Sequence, residues 1–129
     1  MMNNEQPLTC SHTHSASPVL PVVDPESLER AARLFRALGD GPRLRILHLL
    51  LRGETCVSEI VTATADKFST ISQRLRILRS EGLVRRRRDG SHVYYALADD
   101  HVKDLLRNAL AHARELDSPT ISQLPSEDD

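Results

Sequence analysis

The chain has 129 residues, which is typical of a single domain, and it contains no run of about 18 apolar residues that could cross a membrane. Hydrophobic residues make up 40% of it and aromatic residues only 3%, so the core must consist mainly of aliphatic side chains from packed helices. The formal net charge of −1 excludes a uniformly basic protein, but the charges are distributed unevenly along the chain.

The centre of the chain is basic and both flanks are acidic. Residues 41–95 carry eleven Lys and Arg against five Asp and Glu, a net charge of +6. Residues 1–40 carry three basic against five acidic side chains, a net −2, and residues 96–129 carry three against eight, a net −5. A basic segment between acidic flanks indicates a nucleic-acid partner, and a solvated basic face is the alternative.

The two ends of the chain differ in composition from its middle. Residues 1–23 are polar, rich in Ser, Thr, Pro and His, and without periodicity, so we expect a flexible arm. This segment lacks the charged start and apolar stretch of a secretion signal, so we expect a cytoplasmic protein with Cys10 and Cys56 reduced. Residues 24–117 are expected to form the folded domain, and residues 118–129 an acidic, disordered tail.

Two helices are predicted before residue 53. Asp24 followed by Pro25 is a helix start signal. Apolar residues then recur at helical spacing: Leu28, Ala31, Ala32, Phe35 and Leu38. A second helix, opening at Asp40 and ended by Gly53, is so rich in leucine that we expect it to be buried, with His48 packed in the core.

A helix-turn-helix is predicted next. Residues 56–64 and Phe68–Ser80 form two short helical patterns separated by a few residues. The second of these helices has an apolar stripe: Phe68, Ile71, Leu75 and Leu78. Its other face is polar and basic: Ser69, Thr70, Ser72, Gln73, Arg76 and Arg79. Such a face suits a groove of DNA, although the pattern alone also fits ordinary solvent.

A β-hairpin and a final helix complete the predicted domain. Residues 83–88 and 91–97 are strand-like runs on either side of Asp89-Gly90, a dipeptide that favours tight hairpins. The four consecutive arginines 85–88 must alternate between the two faces of a strand, so about half of them can face one DNA backbone. Asp99 or Asp100 then begins a helix that is expected to reach about residue 116.

The last helix carries four residues that suit zinc, namely Asp99, His101, His112 and Glu115. His101 and His112 share one face of the helix, but eleven residues span about 16 Å along its axis, too far for one ion. Two copies packed antiparallel bring Asp99 and His101 of one chain to His112 and Glu115 of the other. The apolar stripe of the same helix is a reason for such pairing, and a solvated polar face is the alternative.

Several stretches of the sequence resemble the ArsR/SmtB family of metal-responsive repressors. They are FRALGDGPRLRILHLL from Phe35, CVSEI from Cys56, STISQRLRILRSEGLV from Ser69 and GSHVYYAL from Gly90. The resemblance implies a mainly α fold, a winged helix-turn-helix of five helices and a two-stranded wing that dimerises through its first and last helices. It implies no enzymatic activity. Residues 65–68 depart from the family's Gly-containing turn with a Ser cap, and Asp66 is expected to cap the fourth helix instead.

The resemblance also implies residues for operator DNA. The fourth helix would enter the major groove, where Ser69, Ser72 and Gln73 touch bases and phosphates. Further DNA contacts are expected from its neighbouring positions and from the wing: Thr70, Arg76, Arg85, Arg87, Arg88 and His92.

The four ligand-type residues of the last helix match the family's interfacial zinc site, with Asp100 as a competing carboxylate. The expected function is a repressor that releases operator DNA when zinc binds, and cobalt would accept the same ligands. A second metal site is an open alternative, formed by Cys10, His12, His14, Cys56 and Glu59. A repressor of the same fold that senses another metal or thiol oxidation through Cys10 and Cys56 is the second candidate. A metalloenzyme and a metal store are the rivals from other classes.

Overall fold

Five helices and a small antiparallel sheet are formed by residues 22–116, the part of the chain that this computed structural model describes. The helices are α1 (Pro25–Leu38), α2 (Gly41–Leu50), α3 (Val57–Thr64), α4 (Phe68–Ser80) and α5 (Asp100–Leu116). The strands are β1 (Thr55–Cys56), β2 (Val84–Asp89) and β3 (His92–Leu97), in the order β1-β3-β2. The predicted helices and hairpin are thus confirmed, whereas most of the expected arm and the expected tail lie outside the described residues.

Helix starts follow the side chains that cap them. The carboxylate of Asp24 accepts a hydrogen bond from the backbone N–H of Ser27 at 3.2 Å, with Pro25 in the first turn. Asp40 caps α2 in the same way through the N–H of Arg43 at 3.1 Å. Asp99 caps α5, since its Oδ1 accepts from the N–H of Val102 at 3.0 Å. These caps explain why the predicted helix starts hold.

The sheet contains one strand that was not predicted. In β1, Thr55 lies opposite Tyr95 and Cys56 opposite Tyr94 of β3, so the two-stranded hairpin gains a third, two-residue strand. A strand this short shows no alternation that a sequence pattern could reveal. The start of α3 shifts accordingly, because Cys56 is its N-cap rather than its first helical residue.

The core is aliphatic, as the composition predicted. Its fully buried side chains come from α2, α3, α4, α5 and the hairpin with the residue before it: Ile46, Leu47, Leu50, Ile60, Ile71, Leu75, Leu78, Leu83, Leu97 and Leu106. Burying side chains of this kind contributes about 1.5–3 kcal/mol each. The same core therefore holds α2, α3, α4, the hairpin and α5 together, and fixes α4 against its neighbours.

Two apolar assignments were wrong. His48 is exposed on α2, because this helix buries only the face that carries Ile46, Leu47 and Leu50. Phe68 is 60% exposed, because it is the first residue of α4 and lies beyond the layer of side chains that begins at Ile71. The leucine content of α2 and the helical spacing of Phe68 thus predicted more burial than the structure shows.

The turn of the helix-turn-helix contains a strained residue. Ala65, which ends α3, has a left-handed backbone with φ 61° and ψ 21°. Lys67 is the N-cap of α4 and makes no side-chain cap bond. Asp66 is not the cap that was expected, since its Oδ2 accepts from Arg74 Nη1 at 2.8 Å. An alanine thus fills a position that favours glycine.

We predict that Ala65→Gly raises the free energy of unfolding by about 0.5–1 kcal/mol, because glycine adopts φ > 0 without the Cβ penalty. Ala63→Gly is the matched control, since Ala63 is exposed within α3 and its replacement should lower stability by about 1 kcal/mol. Chemical denaturation of the three proteins checks the pair. Loss of stability in Ala65→Gly would contradict the assigned backbone conformation.

Candidate nucleic-acid interface and metal centre

The polar face of α4 points away from the core. Ser69, Gln73 and Arg76 are exposed, and Thr70 and Ser72 are half-buried, while Ile71, Leu75 and Leu78 are buried on the other side. Anchoring one face in the core leaves the opposite face as a continuous row of hydroxyl, amide and guanidinium groups. These groups donate and accept hydrogen bonds as base edges and phosphates require. α4 therefore has the form of a recognition helix.

The hairpin separates its arginines onto two faces, as the strand alternation predicted. Arg85 and Arg87 lie opposite Ala96 and Tyr94, whereas Arg86 and Arg88 lie opposite Tyr95 and Val93. All four arginines are exposed. The face of Arg86 and Arg88 is the one that Val84 uses to enter the core.

The two faces of β2 differ in what their arginines contact. Arg87 donates from Nε and Nη2 to the two carboxylate oxygens of Glu54, at 3.0 and 2.8 Å, and its guanidinium lies 4.6 Å from the ring centre of Tyr94. Arg85 donates from Nη1 to the backbone oxygen of Ala98 at 2.8 Å. Within residues 22–116, Arg86 and Arg88 form no ion pair, and Arg86 was absent from the predicted DNA contacts. Glu54 also escaped prediction, because it is 33 residues from Arg87 in the chain.

Cys56 and His92 come together near the turn of the hairpin. The Sγ atom of Cys56 lies 3.9 Å from Nδ1 of His92 and 3.5 Å from the hydroxyl of Ser58. Hydrogen bonds from Ser58, followed by the contact with His92, lower the pKa of the half-buried Cys56 thiol to about 7. The carboxylate of Glu59 accepts from the backbone N–H of Cys56 at 3.3 Å. The other residues of the expected second metal site, Cys10, His12 and His14, lie outside the described residues.

The four expected zinc ligands form two separate pairs on α5. His101 Nδ1 lies 3.9 Å from Asp99 Oδ1, and His112 Nδ1 lies 4.0 Å from Glu115 Oε1. Donor atoms bound to one tetrahedral ion lie about 3.3 Å apart, so the spacing within each pair is close to that of two ligands of one ion. In the described part of one chain, no three His, Cys, Asp or Glu side chains are grouped as a metal site. One chain thus places these side chains in two separate pairs at opposite ends of α5, each called a half-site below, and their role as zinc ligands stays a prediction.

These half-sites are chemically suited to zinc. Their side chains are open to solvent, with His101 99% and His112 74% exposed. Asp99 uses Oδ1 for the helix cap, which leaves Oδ2 as a donor. Two imidazoles and two carboxylates are an ordinary ligand set for this ion. The residues present therefore fit zinc, provided that a second chain brings the complementary pair.

Large apolar side chains are exposed on both terminal helices of the domain. Leu28 and Phe35 on α1 are 60% and 58% exposed, and Leu116 at the end of α5 is 61% exposed. The predicted stripe of α5 is divided, since Val102 and Leu106 are buried whereas Ala109 and Ala113 are exposed.

A helix-turn-helix followed by a β-hairpin, with a basic and polar outer surface, defines a winged helix-turn-helix DNA-binding domain. Comparisons with known proteins agree. Residues 40–86 match the family described as "Bacterial regulatory protein, arsR family". The chain is 41% identical over 114 residues to a transcriptional repressor SmtB homolog of Synechocystis, covering 88% of this chain and 85% of that protein.

Two further relatives point the same way. A cadmium resistance transcriptional regulatory protein CadC homolog of Staphylococcus aureus is 40% identical, covering 67% of this chain and 73% of that one. A homodimeric winged helix-turn-helix DNA-binding domain from Mycobacterium bovis superposes with a TM-score of 0.69 at 37% identity, over 78% of this chain and 94% of that one.

The chain belongs to the ArsR/SmtB family of winged-helix transcriptional repressors. Members of this family are DNA-binding regulators and not enzymes, which removes the metalloenzyme alternative. Within residues 22–116, none of the helices combines the length and the hydropathy needed to cross a bilayer.

We predict that Cys56 of the metal-free protein is alkylated by iodoacetamide with a pH midpoint of about 7, below that of an ordinary thiol. A lowered pKa means that the reactive thiolate is already half-populated at that pH and declines below it. The measurement uses a Cys10→Ser protein, so that one thiol reports.

Two variants test the cause of this shift. Ser58→Ala should raise the midpoint most and His92→Ala should raise it less, whereas His48→Ala, an exposed histidine elsewhere, should leave it unchanged. A midpoint near the 9.0 of an unperturbed thiol in the Cys10→Ser protein would contradict the role of these neighbours.

Proposed function

We propose that the protein is a zinc-responsive repressor of the cytoplasm, which binds operator DNA as a homodimer and dissociates from it when zinc binds. The observation that carries this proposal is the division of the four zinc-type ligands into two half-sites, Asp99 with His101 and His112 with Glu115, at opposite ends of α5. Each half-site has too few ligands for a tetrahedral ion, and an antiparallel second copy of α5 supplies the missing ones.

Dimer formation is supported by the exposed apolar residues of α1 and α5. Leu28, Phe35 and Leu116 would be costly to leave in water on a domain of this size, and their burial in a shared interface would recover that free energy. Because α5 also carries the half-sites, the same pairing would complete two equivalent metal sites. The homodimeric domain from Mycobacterium bovis is a structural precedent.

DNA binding is assigned to the outer face of α4 and to the wing. In a two-fold dimer each copy of α4 would read one half of the operator. The distance between the two copies of α4 would depend on how the dimer is packed. Val102 and Leu106 of α5 lie in the same core as Leu75 and Leu78 of α4. A change in α5 packing would therefore be passed to α4 through rigid contacts. A hundredfold loss of affinity on zinc binding requires a coupling of about 3 kcal/mol.

A second candidate keeps the fold and the DNA surface but takes Cys56 as the sensor. It is favoured by one observation, the pKa of about 7 that Ser58 and His92 give to this thiol beside the wing. Oxidation or binding of another metal there would act on the hairpin rather than on α5. A protein with Cys10 and Cys56 replaced by serine separates the two candidates. A retained response to zinc would favour the site on α5, and a lost response would favour Cys56 as the sensor.

We predict that zinc binding can be restored by mixing two defective chains. The variant Asp99→Asn with His101→Ala and the variant His112→Ala with Glu115→Gln should each bind no zinc at the interface, since every site of either homodimer lacks one pair. Asn at position 99 still caps α5, so the helix is preserved. A heterodimer of the two should hold one complete site.

Isothermal titration and binding to a duplex of the protein's own promoter provide the measurements. The wild type should bind two zinc ions per dimer and lose about a hundredfold in DNA affinity, and the heterodimer should bind one. Asp100→Asn and His48→Ala serve as controls that should behave as the wild type. Failure of the mixed chains to recover any zinc binding, or a monomeric wild type in sedimentation, would refute the interfacial site.

We predict that Gln73→Ala weakens binding to the promoter duplex by about 1–3 kcal/mol and relaxes base preference, because Gln73 is exposed on α4 and offers two hydrogen bonds to a base edge. The dependence of affinity on salt should not change, since no phosphate charge is involved. Thr62→Ala on the exposed side of α3 is the control. Wild-type affinity of Gln73→Ala for the promoter duplex, with an unchanged preference over a random duplex, would contradict the assigned role.

A further inference from the structure

The four arginines of β2 are equivalent in sequence but not in their contacts. Arg87 is held by Glu54 and Tyr94, whereas Arg86 and Arg88 are exposed on the other face of the strand without an ion pair in the described part of the chain. We infer that Arg87 is a wing-positioning residue and not a phosphate contact, and that Arg86 and Arg88 are the phosphate-binding cations of the wing. This inference rests on the proposed DNA binding.

Arg87 is committed to its present partners by geometry. Two of its N–H groups donate to the two oxygens of one carboxylate at 2.8 and 3.0 Å, and the guanidinium plane covers the ring of Tyr94 at 4.6 Å. Asp89 adds a second carboxylate at 3.9 Å. To reach a phosphate, Arg87 would have to give up a two-pronged ion pair and an aromatic contact together. The pair also lowers the pKa of Glu54, because the hydrogen bonds from Arg87 favour the charged carboxylate.

Glu54 is a fixed anchor for this pair. It lies directly before β1, whose residue Thr55 pairs with Tyr95 in the sheet and donates from Oγ1 to the backbone oxygen of Gly53 at 2.9 Å. The ion pair from Glu54 to Arg87 therefore crosses β3 and ties the outer strand β2 to the other edge of the sheet. It acts close to the hairpin tip at Gly90, where two strands alone would be marginally stable.

Arg86 and Arg88 have the opposite environment. They lie on the same face of β2 as Val84, which is buried in the core. This face of the hairpin is therefore the one directed toward the body of the domain and α4. Their charges can approach a DNA backbone without breaking a bond within the protein. The strand alternation thus assigns one pair of arginines to holding the wing and leaves the other pair available for DNA.

Salt dependence of binding distinguishes the two roles. Each phosphate neutralised by a side chain contributes about one unit to the slope of log K against log [salt]. The affinity for a duplex of the protein's own promoter would be measured by fluorescence anisotropy from about 50 to 200 mM salt. The proteins compared are the wild type, Arg87→Gln, Arg88→Gln and Arg86→Gln, after thermal melting has confirmed that each is folded.

Arg86→Gln and Arg88→Gln should each reduce the slope by about one unit, whereas Arg87→Gln should lower affinity about two- to fivefold with the slope unchanged. A slope reduced by about one unit in Arg87→Gln would overturn the inference. An unchanged slope in both Arg86→Gln and Arg88→Gln would also overturn it. Failure of the wild type to bind any promoter duplex would instead count against the proposed function.

Lysine substitutions give an independent test with a matched control. Lysine keeps the positive charge but cannot form the two-pronged bond to a carboxylate. Arg87→Lys should therefore lose affinity as Arg87→Gln does, and Arg88→Lys should stay within about twofold of the wild type. In the absence of DNA, amide hydrogen exchange in residues 84–97 should accelerate in Arg87→Gln but not in Arg88→Gln. Wild-type affinity in Arg87→Lys, or unchanged exchange in Arg87→Gln, would contradict a positioning role.

Discussion

The burial of one face of α4 is the constraint on which the rest of the molecule depends. Ile71, Leu75 and Leu78 are fully buried, and they contact a core to which every other helix and the hairpin contribute. Because these side chains repeat at helical spacing, the polar residues between them must face outward. The position of Gln73 and its neighbours relative to the wing is thus set by hydrophobic packing, before any contact with DNA is considered.

α5 serves two surfaces at once. Its inner face places Val102 and Leu106 in the core, while its outer face carries exposed alanines, Leu116 and the two half-sites. A helix shared in this way can transmit a structural change from one surface to the other, since packed side chains move as a unit. The physical requirement for a sensor of this fold is therefore a helix that is neither wholly core nor wholly interface.

Much of the fold could be predicted from the sequence, because its helix starts are marked by strong local signals. Asp24, Asp40 and Asp99 cap helices where their positions indicated, and the hairpin turns at Gly90. The separation of His101 and His112 along α5 also follows from helix geometry, whereas their role as metal ligands stays a prediction. Information of this kind is local, and it depends on residues within one or two turns of each other.

What could not be predicted depends on contacts between distant parts of the chain. β1 has two residues and exists only because Tyr94 and Tyr95 lie beside it. His48 was expected to be buried because its neighbours in sequence are apolar, and Phe68 because of its helical spacing. Both are exposed, because burial depends on where the core ends. Arg87 looked like any other member of a basic run until Glu54 was brought beside it.

The cap at the start of α5 bears on ion selectivity. Asp99 holds the N–H of Val102 with Oδ1, so the carboxylate has a fixed orientation and only Oδ2 is free. In the proposed site, the capped carboxylate would bind the ion through Oδ2 alone. It would lose less rotational freedom on coordination than a mobile carboxylate would. Larger ions such as calcium, which take six to eight oxygens and often chelate both atoms of a carboxylate, would have to break the cap and fray the helix. A helix end would thereby discriminate against hard, high-coordination cations.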